Sequence, residues 1–140
     1  MRTLALAIVL AIASSGTASA QQDPPIDCAN AMSQHEMNQC AYMDFEKADK
    51  ELNTVYKQAM KARADLDKQS AEIDPIYVGA VKALKKAQRA WIDYRDGHCD
   101  GVGYQAAGGS MQPMLIEGCR ATLTTARTKE LRELIEGLGN

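Results

Sequence analysis

No stretch of this chain alternates apolar and polar residues in the manner of a strand, and no internal repeat or low-complexity tract is present. That leaves helices. No CxxC pair occurs, and His35 and His98 lack finger-like spacing, so a zinc site has no framework. There is no HExxH, no serine or cysteine in a nucleophile motif, and no phosphate loop among the glycines from Gly101 to Gly109. No EF-hand loop surrounds Asp93, Asp96 and Asp100. Their spacing of three and four puts them on one helix face, read as solvated surface rather than as a calcium site or an acid–base pair. The neighbours His98 and Cys99 invite a cysteine-protease reading, but a cysteine held in a disulfide offers no thiolate. With these signatures missing, the expectation is a protein that is not an enzyme and needs no cofactor.

Long apolar runs are also missing. Leu4 to Ile12 is too short to span a bilayer; it follows Arg2 and precedes Ala18-Ser19-Ala20, the small-x-small pattern of a signal-peptidase site. Residues 1–20 are therefore expected to be a signal peptide, and residues 21–140 a single exported domain, periplasmic or secreted. A membrane anchor would need a longer span, and a lipid anchor would need a cysteine directly after the run, where Cys28 comes too late. His35 reads as a first-turn surface residue.

Charge of one sign is not dominant either. Without Arg2, fifteen basic residues stand against eighteen acidic ones, a net charge of −3. No nucleic-acid footprint is visible, and only a weak attraction to basic partners follows. About 120 residues remain after the signal, enough for one core.

What is present is heptad spacing. Asp23-Pro24-Pro25 keeps the start extended. Ser33 and Glu36 then form a capping-box pattern at the head of a long helix. Ala41, Phe45, Ala48, Leu52, Val55, Ala59, Ala62 and Leu66 line one side of it, with Tyr56 and Met60 widening the seam. Asp67 to Asp74 reads as a polar connection, and Asp74-Pro75 as the start of the next helix. That second helix carries Tyr77, Ala80, Leu84, Ala87, Trp91, Tyr94 and His98, and should stop between Gly97 and Tyr104. Ser110 is the expected cap of a third helix, with Pro113 in its first turn. Its inner line is Ile116, Cys119, Leu123, Leu131, Leu134 and Leu138, interrupted by Arg127. The fold expected is all-α: an antiparallel three-helix, up-down-up bundle.

In such a bundle Cys28, Cys40, Cys99 and Cys119 all fall near one pole, and position alone excludes none of the three pairings. Export favours disulfides. Folding the last two helices at Gly108-Gly109 sets Cys99 opposite Cys119, while Cys40, beside the core stripe, suits a bond back to Cys28. Each bond should contribute roughly 3 kcal/mol on chain-entropy grounds. For an alanine-rich core that is a large share of net stability.

The same register brings Trp91 near Arg127. An arginine on an apolar stripe needs partners, and the face of Trp91 and the carboxylate of Asp49 are within reach, with Arg95 competing for the same acid. A clamp of Trp91, Arg95, Arg127 and Asp49 that fixes helix register is the expectation; Arg127 exposed in a ligand site is the rival. The glycine-rich segment from Gly101 to Pro113, carrying Tyr104, Gln105 and Met111, is the candidate partner-contact loop, against a plain solvent loop.

Taken together, Cys28…Cys40, Ala48-Asp49…Leu52-Asn53…Tyr56, Trp91…Tyr94-Arg95…Cys99 and Cys119…Arg127…Leu131 resemble the lysozyme inhibitor LprI-like N-terminal domain family. These are small exported bacterial proteins, most of unknown function. The resemblance covers nearly all of the chain after the signal, and it implies inhibition of lysozyme by binding. It supplies no inhibitory motif to carry over. The chain departs from the founding type in having no lipid-anchor cysteine. The function expected is thus a periplasmic, non-enzymatic binding protein whose partner is a lysozyme-type hydrolase. The alternative is a structural or envelope-stress module for another envelope protein. No nucleic-acid partner and no membrane contact after signal cleavage are expected. Target and oligomeric state are not legible.

Overall fold

The computed structural model describes residues 26–137. The expected signal peptide with its cleavage site, the extended start at Asp23-Pro24-Pro25, and Leu138 lie outside them. Three helices make up the described chain: α1 over Gln34–Ile73, α2 over Ala80–Gly103 and α3 over Gln112–Glu136. They run up, down and up, so α1 and α3 are parallel, and those two pack together most extensively.

The head of α1 is fixed by the capping box. The Ser33 hydroxyl accepts the Glu36 N–H, and the Glu36 carboxylate accepts the Ser33 N–H in return. From there the spacing of four and three buries Ala48, Leu52, Val55 and Ala59. With Leu84 of α2 and Leu131 of α3 they form the core, flanked by Tyr56, Met60, Trp91, Leu134 and Ile135. The layers are thin because alanine dominates the α1 seam, which lets the helices approach closely.

Four local expectations are corrected. First, α1 does not end before Asp67. The run DKQSAEI continues the helix to Ile73, because lysine, glutamine, alanine and glutamate are good helix formers even with no face to bury. Second, Asp74 caps a single 3-10 turn, Pro75–Tyr77, and α2 starts only at Ala80. Tyr77 consequently sits exposed in the connection rather than on the inner line.

Third, the buried lines of α2 and α3 are rotated by one position from those the apolar pattern suggests. In α2 the line is Leu84, Gln88, Arg95, Cys99 and Gly103, while Tyr94 and His98 stack on each other outside, 5.4 Å between ring centres. In α3 it is Thr124, Thr128 and Leu131. The Thr128 hydroxyl donates to the Thr124 carbonyl at 2.9 Å, so a polar side chain is buried without an orphaned donor. Fourth, Ser110 does not cap α3. Met111 holds the cap position with no side-chain bond, and the Ser110 carbonyl instead accepts the Asn38 amide at 2.9 Å. Pro113 lies in the first turn, where its missing N–H has no partner to lose.

Candidate functional site

The cysteines pair as Cys28–Cys40 and Cys99–Cys119, with Cα separations of 5.6 and 5.5 Å, and both bonds sit at the pole where α1 begins and α2 meets α3. Cys99 is fully buried. Above it, α2 runs on to Gly103, within the expected range of Gly97 to Tyr104. Gly103 is buried against Ile116: a Cβ there would lie 2.4 Å from the Ile116 Cγ1, so only glycine allows this approach.

The connection between α2 and α3 is therefore short and built of turns. Tyr104–Ala106 is a 3-10 turn, Gly108 takes φ +75°, and the Gly109 N–H closes on the Ala106 carbonyl at 2.8 Å. Gly108 also donates to the Gln112 side chain, and Asn38 of α1 holds the Ser110 carbonyl. On this frame Tyr104 is 73% exposed, with Gln105 and Met111 beside it. The candidate loop is thus a fixed knuckle seated on a disulfide.

Below the knuckle the four clamp residues separate into two groups. Arg95 stands between two rings, its guanidinium carbon 5.0 Å from the centre of Phe45 and 5.2 Å from that of Trp91. Its nitrogens reach Asp49 at 3.3 Å, Asp96 at 2.9 Å and the Thr124 hydroxyl at 3.4 Å. Arg127 is elsewhere. It donates to the Gln88 side chain at 3.1 Å and to Glu130 at 2.7 Å. The cation over Trp91 is Arg95, not Arg127, because the rotation of α2 turns position 95 inward and leaves Arg127 at the edge of the core.

Sequence reasoning missed the second cation of the pole. Arg120 pairs with Asp100 at 3.0 Å and Glu117 at 3.1 Å, and lies 3.6 Å from Asp96. The signal was partial: the register that opposes Cys99 and Cys119 sets Asp100 opposite Gly118 and Arg120 opposite His98, and only the length of the arginine side chain lets Arg120 reach Asp100. A continuous ribbon of alternating charge results, from Asp49 on α1 through Arg95 and Asp96 on α2 to Arg120 on α3. Phe45 and Trp91 lie against its Arg95. Nearby, the Tyr42 phenol donates to Glu46, which pushes its pKa up. All four cysteines are in disulfides, and among the described residues no group of three His, Cys, Asp or Glu could hold a metal ion.

These features coincide with a family pattern. The family model described as lysozyme inhibitor LprI matches residues 27–131, a span that includes both disulfides, the charge ribbon and the knuckle. The chain belongs to the LprI family. An uncharacterized protein of Rhizobium meliloti (strain 1021) is 50% identical to it over 140 residues, all of both chains. No solved structure matches. Among the described residues, no helix of this chain is long and apolar enough to cross a membrane.

Proposed function

We propose that this LprI-family chain is an exported, non-enzymatic protein that inhibits lysozyme-type muramidases by placing its α2–α3 knuckle in the active-site cleft. The observation that carries the reading is the knuckle itself. Tyr104 is presented on a turn locked from below by Cys99–Cys119 and from the side by Asn38. A binding loop ordered beforehand loses little entropy on docking, which favours inhibition by a small protein. Glycosidase clefts are concave and lined by carboxylates, and a protruding aromatic turn with no acidic residue of its own from Gly101 to Gln112 is suited to one. The mild negative charge of the rest of the chain assists encounter with a basic hydrolase. In this reading Arg95, with Asp49 and Trp91, is a positioning group: it sets the angle of α2 and so the direction of the knuckle.

The test is lysis of bacterial walls by lysozyme with and without the purified, oxidised protein. Slower lysis and direct binding are expected, and Tyr104→Ala or deletion within Gln105–Gly109 should weaken both. Inhibition untouched by those changes removes the knuckle from the mechanism. Absence of binding to any lysozyme removes the inhibitor reading for this member.

A further inference from the structure

The opposite pole is built differently. Here α1 ends, the chain turns through Pro75–Tyr77, and α2 begins. Ile73 is 80% exposed, Ile76 78% and Tyr77 66%, with Val78 exposed beside them. Four large apolar side chains within six residues face solvent, and the turn that carries them is firmly held. Asp74 accepts the Ile76 N–H at 2.9 Å, and Asp67 of α1 accepts the N–H groups of Gly79, Ala80 and Val81.

Charge is sorted on the same element. From Pro75 to Ile92 there is no acidic residue, whereas Lys82, Lys85, Lys86 and Arg89 recur at helical spacing and share one face. They border one shallow depression together with Val78, Gly79, Val81 and the backbone-capping Asp67. Among the described residues none of the four forms an ion pair. The acids near this pole are largely engaged: Asp67 and Asp74 cap backbone, while Asp65 and Glu133 hold Lys61 and Lys129. Glu72 and Glu136 are left against Lys68 and the four cations of α2.

We propose that this pole docks on the surface of an anionic phospholipid bilayer. A convex apolar tip needs no matching cavity in its partner, and lipid supplies none. Ile73, Ile76 and Val78 would enter the acyl boundary and Tyr77 would sit among the headgroups. Lys82, Lys85 and Lys86 lie about 3 to 9 Å along α2 from its first residue, the depth of the phosphate layer. The sequence pattern points away from membrane contact because no long apolar run follows residue 20, and of these residues only Tyr77 reads as part of a buried helix line. The surface is independent of the knuckle, which lies at the other end of the molecule, so lipid docking and lysozyme binding can coexist.

The experiment is flotation of the oxidised chain beginning at Gln21, which contains every described element, with phosphatidylglycerol–phosphatidylcholine vesicles and with phosphatidylcholine alone. Binding to the anionic vesicles only, declining with salt, is expected. Reversing Lys82, Lys85 and Lys86 to glutamate should weaken it by more than about a hundredfold, at about fivefold for each of the three cations. Ile76→Asn should do the same with the net charge unchanged, and Tyr104→Ala should leave binding unchanged. Tyr77→Trp should shift its emission to the blue on anionic vesicles. All these side chains are exposed, and an unchanged helical circular dichroism spectrum controls for folding. No flotation with anionic vesicles, equal flotation of the charge-reversed variant, or binding to an acidic protein through this pole without lipid binding overturns the proposal.

Discussion

Arg95 stacks on Trp91, its guanidinium 5.2 Å from the ring centre, while the same group holds Asp49 of the neighbouring helix. The side chain is only 9% exposed, so its charge is largely taken out of water and compensated by Asp49, Asp96 and two rings. Removing the cation takes one partner from each of two half-exposed carboxylates, leaves the buried Thr124 hydroxyl without it, and opens a hole beside Phe45 and Trp91. Arg95→Ala is expected to cost about 3 kcal/mol. Arg127→Ala, which breaks a bond to Gln88 and a pair with the exposed Glu130, should cost about 1 kcal/mol. Urea unfolding of both variants, compared at constant slope, checks the ranking. The reverse order would return the clamp to Arg127.

The two disulfides close chain segments of similar length, 12 and 20 residues. Loop entropy alone gives each about 3 kcal/mol. The structure separates them. Cys28–Cys40 ties a segment that supplies nothing to the core, so opening it frees that segment in the folded state nearly as much as in the unfolded one. Cys99–Cys119 joins two core helices that stay fixed whether or not the bond exists. Replacing Cys28 and Cys40 by serine should therefore cost less than about 1 kcal/mol, and replacing Cys99 and Cys119 by alanine about 3 kcal/mol. Thermal unfolding followed by Trp91 fluorescence reads both. Equal losses would show that the leading segment is integral to the bundle.

These contrasts mark how far the sequence could be read. The α1 seam of Ala48, Leu52, Val55 and Ala59 was legible because it is apolar and regularly spaced. The Cys99–Cys119 bond was legible from the register of a helical hairpin, whereas Cys28–Cys40 was only the pairing that the place of Cys40 beside the seam favoured. The inner faces of α2 and α3 were misplaced by one position, since Arg95, Gln88, Thr124 and Thr128 are polar and are buried by bonding to partners on another helix or on their own. Apolar periodicity is blind to a polar residue whose partner is on another element. Asp67 shows the same limit. Its ligands are backbone N–H groups of residues 79 to 81, and no side-chain pattern announces them.

Glycines in α2 divide by what surrounds them. An added Cβ at Gly101 meets nothing within 4 Å, whereas at Gly103 it meets two carbons of Ile116, the second at 2.7 Å. Helix propensity alone makes both changes to alanine favourable by up to about 1 kcal/mol. Gly101→Ala should therefore stabilise. Gly103→Ala should destabilise by about 1 to 3 kcal/mol through overpacking. Ile116→Ala should relieve that penalty, so the double variant is less unstable than the two losses added. A Gly103→Ala protein as stable as its parent would mean that Ile116 moves aside freely and that the knuckle is not held by this contact.

Acid sensitivity should trace to Asp67. Its carboxylate accepts the N–H groups of Gly79, Ala80 and Val81 at 2.8, 2.7 and 3.0 Å, and these bonds hold its pKa below the ordinary value of 3.8. In the unfolded chain those bonds are gone and the ordinary value returns. The stabilisation is accordingly complete above the unfolded pKa and is lost as pH falls through the lower, folded one. Glu36 is lowered in the same direction, first by the Ser33 backbone N–H, and titrates equally in any Asp67 variant. The informative quantity is thus the difference between the parent and Asp67→Asn. Near neutral pH the variant should melt lower, because an amide is a weaker acceptor at the α2 N-terminus. As the pH drops below about 4 the gap should narrow, since the parent loses the charge the variant never had. Melting curves that stay parallel down to the acid limit would mean that the cap holds α2 through geometry alone, with no contribution from the carboxylate charge.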